Sequence, residues 1–135
     1  MARVLVVDDD PLVRETIVSA LQNAGHSALE TSDGQRALDV LGREVFDLLI
    51  TDILMPTVDG IELILSIRKR QPKLRILSIS GGDRTGVPDY LEMSEKLGAL
   101  MILPKPFTPK QLLRAVEAML HMPAAPKDDK GEADQ

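Results

Sequence analysis

Apolar residues in this chain form short unbroken runs, separated by longer segments in which they recur every three or four positions. The runs are Val4–Val7, Leu48–Ile50, Ile76–Ile79 (interrupted only by Ser78) and Leu100–Leu103. Runs this short, with no polar alternation, predict strands buried on both faces, the pattern of a parallel sheet. A shorter strand is expected near Ala28–Thr31. Between the runs, Val13, Ile17, Ala20, Leu21 and Ala24 share one helix face, and Ala37, Leu38, Leu41 and Val45 share a second. Ile61, Ile64 and Ile67 mark a third helix, and Leu112, Leu113, Val116, Met119 and Leu120 mark the last. One more helix is predicted from about Asp89 to Leu97, stopped by Gly98. Asp10-Pro11 and Thr108-Pro109 are helix starts, each a capping side chain followed by a proline at the first helical position. Gly25 stops the first helix, Ser32-Asp33-Gly34 reads as a turn before the second, and Gln71-Pro72 closes the third.

Five strands alternating with five helices predict an α/β domain with a parallel sheet covered on both sides. Pro104 cannot donate to a ladder, so the fifth strand belongs at an edge. After Met122 no bulky apolar residue remains. The expected organisation is one domain over residues 1–122 and a disordered tail over 123–135.

Two of the apolar runs end in aspartate: Val4–Val7 runs into Asp8-Asp9-Asp10, and Leu48–Thr51 runs into Asp52. Parallel strands finish at one edge of their sheet, so these carboxylates can lie side by side. Like charges held close resist joint ionisation unless a cation joins them. The fifth strand is followed by Pro104 and then Lys105, which can face the same cluster. The pattern predicts a site for a metal and an anion. Its donors are carboxylate oxygens, which suit Mg²⁺. There is no cysteine, and His26 and His121 are isolated and expected to be solvated surface residues. Asp10, ahead of Pro11, is better read as the cap of the first helix than as a ligand. A carboxylate beside a metal can act as a nucleophile toward phosphorus and form an acyl phosphate. The metal and Lys105 would neutralise the transferring oxygens, and the Ser80 hydroxyl could donate to one more.

Charge and composition narrow the partners. The formal net charge is −5, with no basic stripe, and the only aromatics are Phe46, Tyr90 and Phe107, so direct nucleic-acid binding is not expected. The absence of cysteine excludes a disulfide framework and a Cys nucleophile and suits a reducing cytosol. No apolar stretch approaches membrane-spanning length, and Arg3 with the early aspartates excludes a signal peptide. A soluble cytoplasmic protein is expected.

Taken together, Val4-Leu5-Val6-Val7-Asp8-Asp9-Asp10, Ile50-Thr51-Asp52-Ile53-Leu54-Met55-Pro56 with Asp59-Gly60, Ile79-Ser80-Gly81-Gly82 and Lys105-Pro106-Phe107 resemble the receiver domain of two-component response regulators. The likeness runs from about residue 2 to 121, with the motifs in the family's order, and is closest to single-domain, chemotaxis-type receivers. It implies a flavodoxin-like doubly wound sheet of order 2-1-3-4-5. It also implies roles: Asp52 as the phosphorylated carboxylate, and Asp8, Asp9, Asp52 and the Leu54 carbonyl as Mg²⁺ ligands. Ser80 would be the switch hydroxyl, Lys105 the cation on the phosphoryl group, and Lys105-Pro106 a cis bond. The implied donor is a sensor histidine kinase or a histidine phosphotransfer protein. The implied output is a downstream protein that reads the face built from the predicted helix 89–97, the fifth strand and the C-terminal helix. Such a protein catalyses only its own phosphorylation and dephosphorylation and is not a turnover enzyme.

Three departures from the family pattern matter, one being the connection from Gly81 to Pro88, a few residues longer than in compact chemotaxis-type receivers. Ile102 stands three residues before the lysine, where the family usually carries an aromatic that turns inward, so signalling here would lean on the loop and helix after Ser80. Leu54, two residues past Asp52, has no polar group to orient an attacking water. The acyl phosphate should therefore outlast a few seconds, and a decay of the labelled protein within seconds would refute this. The alternatives are a binding module that works without phosphorylation and, ranked lower for want of a second catalytic acid, an aspartate-nucleophile hydrolase.

Overall fold

The computed structural model of the chain describes residues 1–52, 60–80 and 100–122. The elements follow the alternation expected: β1 (Arg3–Val7), α1 (Pro11–Asn23), β2 (Ser27–Thr31), α2 (Gly34–Arg43), β3 (Leu48–Asp52), α3 (Gly60–Arg70), β4 (Arg75–Ser80), β5 (Leu100–Pro104) and α4 (Pro109–Leu120). All strand pairs are parallel, in the order β2-β1-β3-β4-β5. The strand carrying Pro104 is an edge strand, as a residue without an N–H donor requires. The helix expected at 89–97, the loop around Leu54 and Met55-Pro56, Gly81-Gly82 and the tail 123–135 lie outside the described residues.

Period-two alternation along the strands splits the core in two. Leu5, Val7, Leu49 and Ile76 face one side, under Ala37 and Leu41 of α2 and Ile67 of α3. Val4, Val6, Leu48, Ile50, Leu77 and Ile79 face the other, under Ile17, Ala20 and Leu21 of α1 and Leu112, Val116 and Met119 of α4. Each fully buried Leu or Ile contributes about 1.5–3 kcal/mol, so the central strands are fixed on both faces and cannot slip in register.

The caps fall where the sequence put them. The Asp10 side chain accepts from the Leu12 N–H, and Thr108 forms a reciprocal capping box with Gln111. Asp33 goes beyond the expected turn and caps α2 through the Arg36 N–H. The first helix closes at Gly25, whose φ of +92° only glycine adopts freely. There the Gly25 and His26 N–H groups donate to the carbonyls of Gln22 and Leu21.

That closure corrects one expectation. His26 is not a solvated residue: its side chain is only 7% exposed, and Nδ1 accepts the Ala2 N–H at 3.0 Å. The glycine turn carries the ring back over the start of β1, with Nε2 3.5 Å from Glu117 of α4. Val45 is a second correction. The helix ends at Arg43, and Val45 is 83% exposed while Phe46 takes the core position. His121 is exposed, as expected.

Candidate functional site

Register brings the chemistry together. Val7 pairs with Thr51, so Asp8 and Asp52, each the next residue, leave neighbouring strands at the same level. Asp52 is opposite Ile79, and Ser80 is opposite Pro104, so the ends of β4 and β5 are flush with them. This is the carboxyl edge of a doubly wound sheet, at the point where β1 and β3 lie side by side and the chain order reverses.

Asp8 is wholly buried, Asp52 nearly so, and Asp9 exposed. One carboxylate oxygen from each lies within 4.8 Å of the others. Lys105 Nζ donates to Asp52 Oδ2 at 3.1 Å and sits 3.6 Å from Asp8 Oδ2. The Lys105-Pro106 peptide that follows is cis. Beneath the site, the Thr51 hydroxyl donates to the Asp52 carbonyl oxygen at 3.2 Å.

The two oxygens of Asp8 differ. Oδ1 accepts the Asp10 N–H at 2.9 Å, while Oδ2, fully buried, accepts no hydrogen bond. Burial raises the Asp8 pKa above the usual carboxylate range. The Asp10 N–H and Lys105 pull it down, and the charges of Asp52 and Asp9 push it up. Burial pulls the Lys105 ammonium down, but the hydrogen bond and charge of Asp52, joined by Asp8, outweigh that and leave its pKa raised. The lysine therefore stays a cation at neutral pH. Among the described residues one ammonium faces three carboxylates, and Asp8 Oδ2, buried with no hydrogen bond and only the Lys105 ammonium at 3.6 Å, leaves room for a further positive charge. Hard oxygen donors and a surplus of negative charge fit Mg²⁺.

The structure thus gathers Asp8, Asp9, Asp52 and Lys105. Asp10 turns to its cap, and Ser80 ends β4 beside them. Leu54 lies outside the described residues. Ile102 faces the α2–α3 side of the sheet, paired with Ser78. Arg14 escaped sequence reading: its Nη1 donates to the Asp8 carbonyl oxygen at 2.8 Å. Its place four residues after a capping aspartate, off the apolar stripe of α1, was the only signal.

A parallel sheet of order 2-1-3-4-5 with an acidic cluster and one lysine at its carboxyl edge defines a class: doubly wound signalling modules of the chemotaxis-receiver type. Residues 4–117 match the response regulator receiver domain family, and the chain belongs to that family. It is 36% identical to the response regulator receiver protein CpdR of Brucella abortus, over 89% of this chain and 98% of that protein. Its likeness to the DNA-binding transcriptional regulator NtrC of Azospirillum brasilense is 36% over 99% of this chain, but only 28% of that protein. The chain spans from about an eighth to just over half the length of several other curated relatives, from the sensor kinase CckA of Brucella abortus (12%) to the response regulator MprA of Mycolicibacterium vanbaalenii (55%). Among solved structures, the chemotaxis protein CheY4 of Vibrio cholerae superposes with a TM-score of 0.80 at 30% identity, covering 88% of this chain and 98% of its own. Among the described residues, no helix is long and apolar enough to cross a membrane.

Proposed function

We propose that this chain is a cytoplasmic phosphoacceptor that takes a phosphoryl group from a phosphohistidine donor onto Asp52. The observation that carries this reading is the Lys105 ammonium, 3.1 Å from an Asp52 oxygen, beside the clustered carboxylates of Asp8, Asp9 and Asp52. An Asp52 oxygen forms a bond to phosphorus as the bond from phosphorus to the donor's imidazole nitrogen breaks, and that electron pair stays on the nitrogen. Asp8, Asp9, Asp52 and the Leu54 carbonyl would hold Mg²⁺, which when bound neutralises charge on the transferring oxygens. Lys105 orients the acceptor carboxylate and can move to a phosphoryl oxygen once the acyl phosphate forms. The Ser80 hydroxyl, at the neighbouring strand end, supplies a further donor.

Residues 1–122 form the receiver unit. The acyl phosphate shifts a two-state equilibrium at the loop after Ser80, and the face made by segment 89–97, β5 and α4 is what a downstream protein reads. The donor is a sensor histidine kinase or a histidine phosphotransfer protein. Neither nucleic acid nor a membrane is a direct partner.

Incubation with phosphoramidate or acetyl phosphate tests the reading. One phosphoryl group per chain is expected, dependent on Mg²⁺ and lost in Asp52→Asn. A chain that stays unlabelled while still binding a partner would instead be a module that works without phosphorylation.

A further inference from the structure

We infer that Arg14 is a positioning residue for the metal-holding turn, fixing the main chain of Asp8 so that its Oδ2, the carboxylate oxygen with no hydrogen bond, faces the cation site. The inference rests on the reading of Asp8, Asp9 and Asp52 as the metal ligands. Nearly every polar atom of Asp8 is already held by the protein. Its N–H donates to the Thr31 carbonyl at 3.3 Å, Oδ1 accepts from the Asp10 N–H at 2.9 Å, and its carbonyl oxygen accepts from Arg14 Nη1 at 2.8 Å. Only Oδ2 accepts no hydrogen bond. With three of its groups fixed, Asp8 offers Oδ2 in one orientation.

Arg14 is itself held. Its Nε donates to Glu30 Oε1 at 2.9 Å, and its side chain is 18% exposed. Glu30 belongs to β2 and lies in register with Val6, two residues before Asp8. The guanidinium fork thus ties the end of β1 to the neighbouring edge strand through α1. A half-exposed ion pair of this kind adds little to global stability. Groups that orient a metal ligand typically change metal affinity by about 10- to 100-fold when removed.

Electrostatics alone predicts the opposite sign. Arg14 is a cation near an acidic cluster, so removing its charge should tighten divalent-cation binding. Positioning predicts weakening, and that contrast makes the test decisive. Mg²⁺ titrations by calorimetry on the full chain would compare wild type, Asp8→Asn, Arg14→Gln and Arg14→Lys, each well below its own unfolding midpoint in EDTA. The expected result is a Kd for Mg²⁺ raised about tenfold in Arg14→Gln. Arg14→Lys should be raised nearly as much, because it keeps the charge but not the fork. The unfolding midpoints in EDTA should stay close to wild type. Unchanged or tighter binding in Arg14→Gln, or wild-type affinity in Arg14→Lys, overturns the inference. If wild type binds no Mg²⁺, or Asp8→Asn binds it as wild type does, the underlying ligand assignment fails instead.

Discussion

Lys105→Met slows phosphoryl transfer to Asp52 by about 10²- to 10³-fold, the loss typical of removing one charge-stabilising donor from a reacting centre. The same substitution tightens Mg²⁺ binding. Lys105 Nζ lies 3.1 Å from Asp52 Oδ2 and 3.6 Å from Asp8 Oδ2, so it occupies the carboxylates as a competing counter-charge. Its loss therefore acts in opposite directions on metal affinity and on chemistry, a combination that general unfolding would not produce. In EDTA the variant should also be less stable, by about 2 kcal/mol. Breaking a buried pair costs more than that, but the Lys105 side chain is 24% exposed and partly screened. Because its folded pKa is raised, the lysine's stabilisation is complete below the ordinary lysine pKa of about 10.4 and fades only at higher pH. Rapid-mixing labelling with phosphoramidate, Mg²⁺ titration and thermal unfolding at pH 7 check the three effects. Wild-type labelling rates with unchanged metal affinity would contradict this role.

Asp8→Asn should raise the unfolding midpoint in EDTA by about 3–8 °C and abolish the further rise that Mg²⁺ gives the wild type. Asp8 is wholly buried, and burial leads the raising of its pKa. The folded state thus holds that proton more tightly than the unfolded chain does. Stability falls as pH rises from the ordinary carboxylate pKa to the raised one, and the penalty persists above it. Asparagine removes the charge yet keeps an oxygen for the Asp10 N–H, so the turn survives. Proton and cation also compete for the same carboxylate. Mg²⁺ affinity in the wild type should therefore weaken as pH drops through the raised Asp8 pKa. Scanning calorimetry with and without Mg²⁺ over a series of pH values from the ordinary carboxylate range upward reads both effects. A destabilised Asp8→Asn protein that keeps its Mg²⁺ response would show that Asp8 is neither strained nor a ligand.

What could be read from the sequence was whatever depended on local order. Apolar runs ending in aspartate gave strand ends, and parallel pairing then forced Asp8 and Asp52 to one edge, as the Val7–Thr51 register shows. Asp10-Pro11 and Thr108-Pro109 carry their caps within three residues, so both helix starts were legible. Contacts across the fold were not. The His26 ring is largely covered because a positive-φ glycine turns it toward Ala2, 24 residues back, and no spacing rule encodes that contact. Val45 matched the helical period, but α2 had already ended, and the buried ring of Phe46 left it facing solvent. Arg14 did not stand out in the sequence, because its partners are a backbone carbonyl and a residue on the edge strand. Helix periodicity reports which face is buried, but not which polar group a long side chain will reach.

The account rests on Asp52 as the acceptor, and the most direct measurement is to locate the phosphoryl group. Protein treated with phosphoramidate and Mg²⁺, then reduced with borohydride and analysed by peptide mass spectrometry, should carry the reduction product of an acyl phosphate at Asp52 and at no other position. Modification at Asp8, Asp9 or Ser80 with Asp52 intact, or labelling that persists unchanged in EDTA, would contradict it.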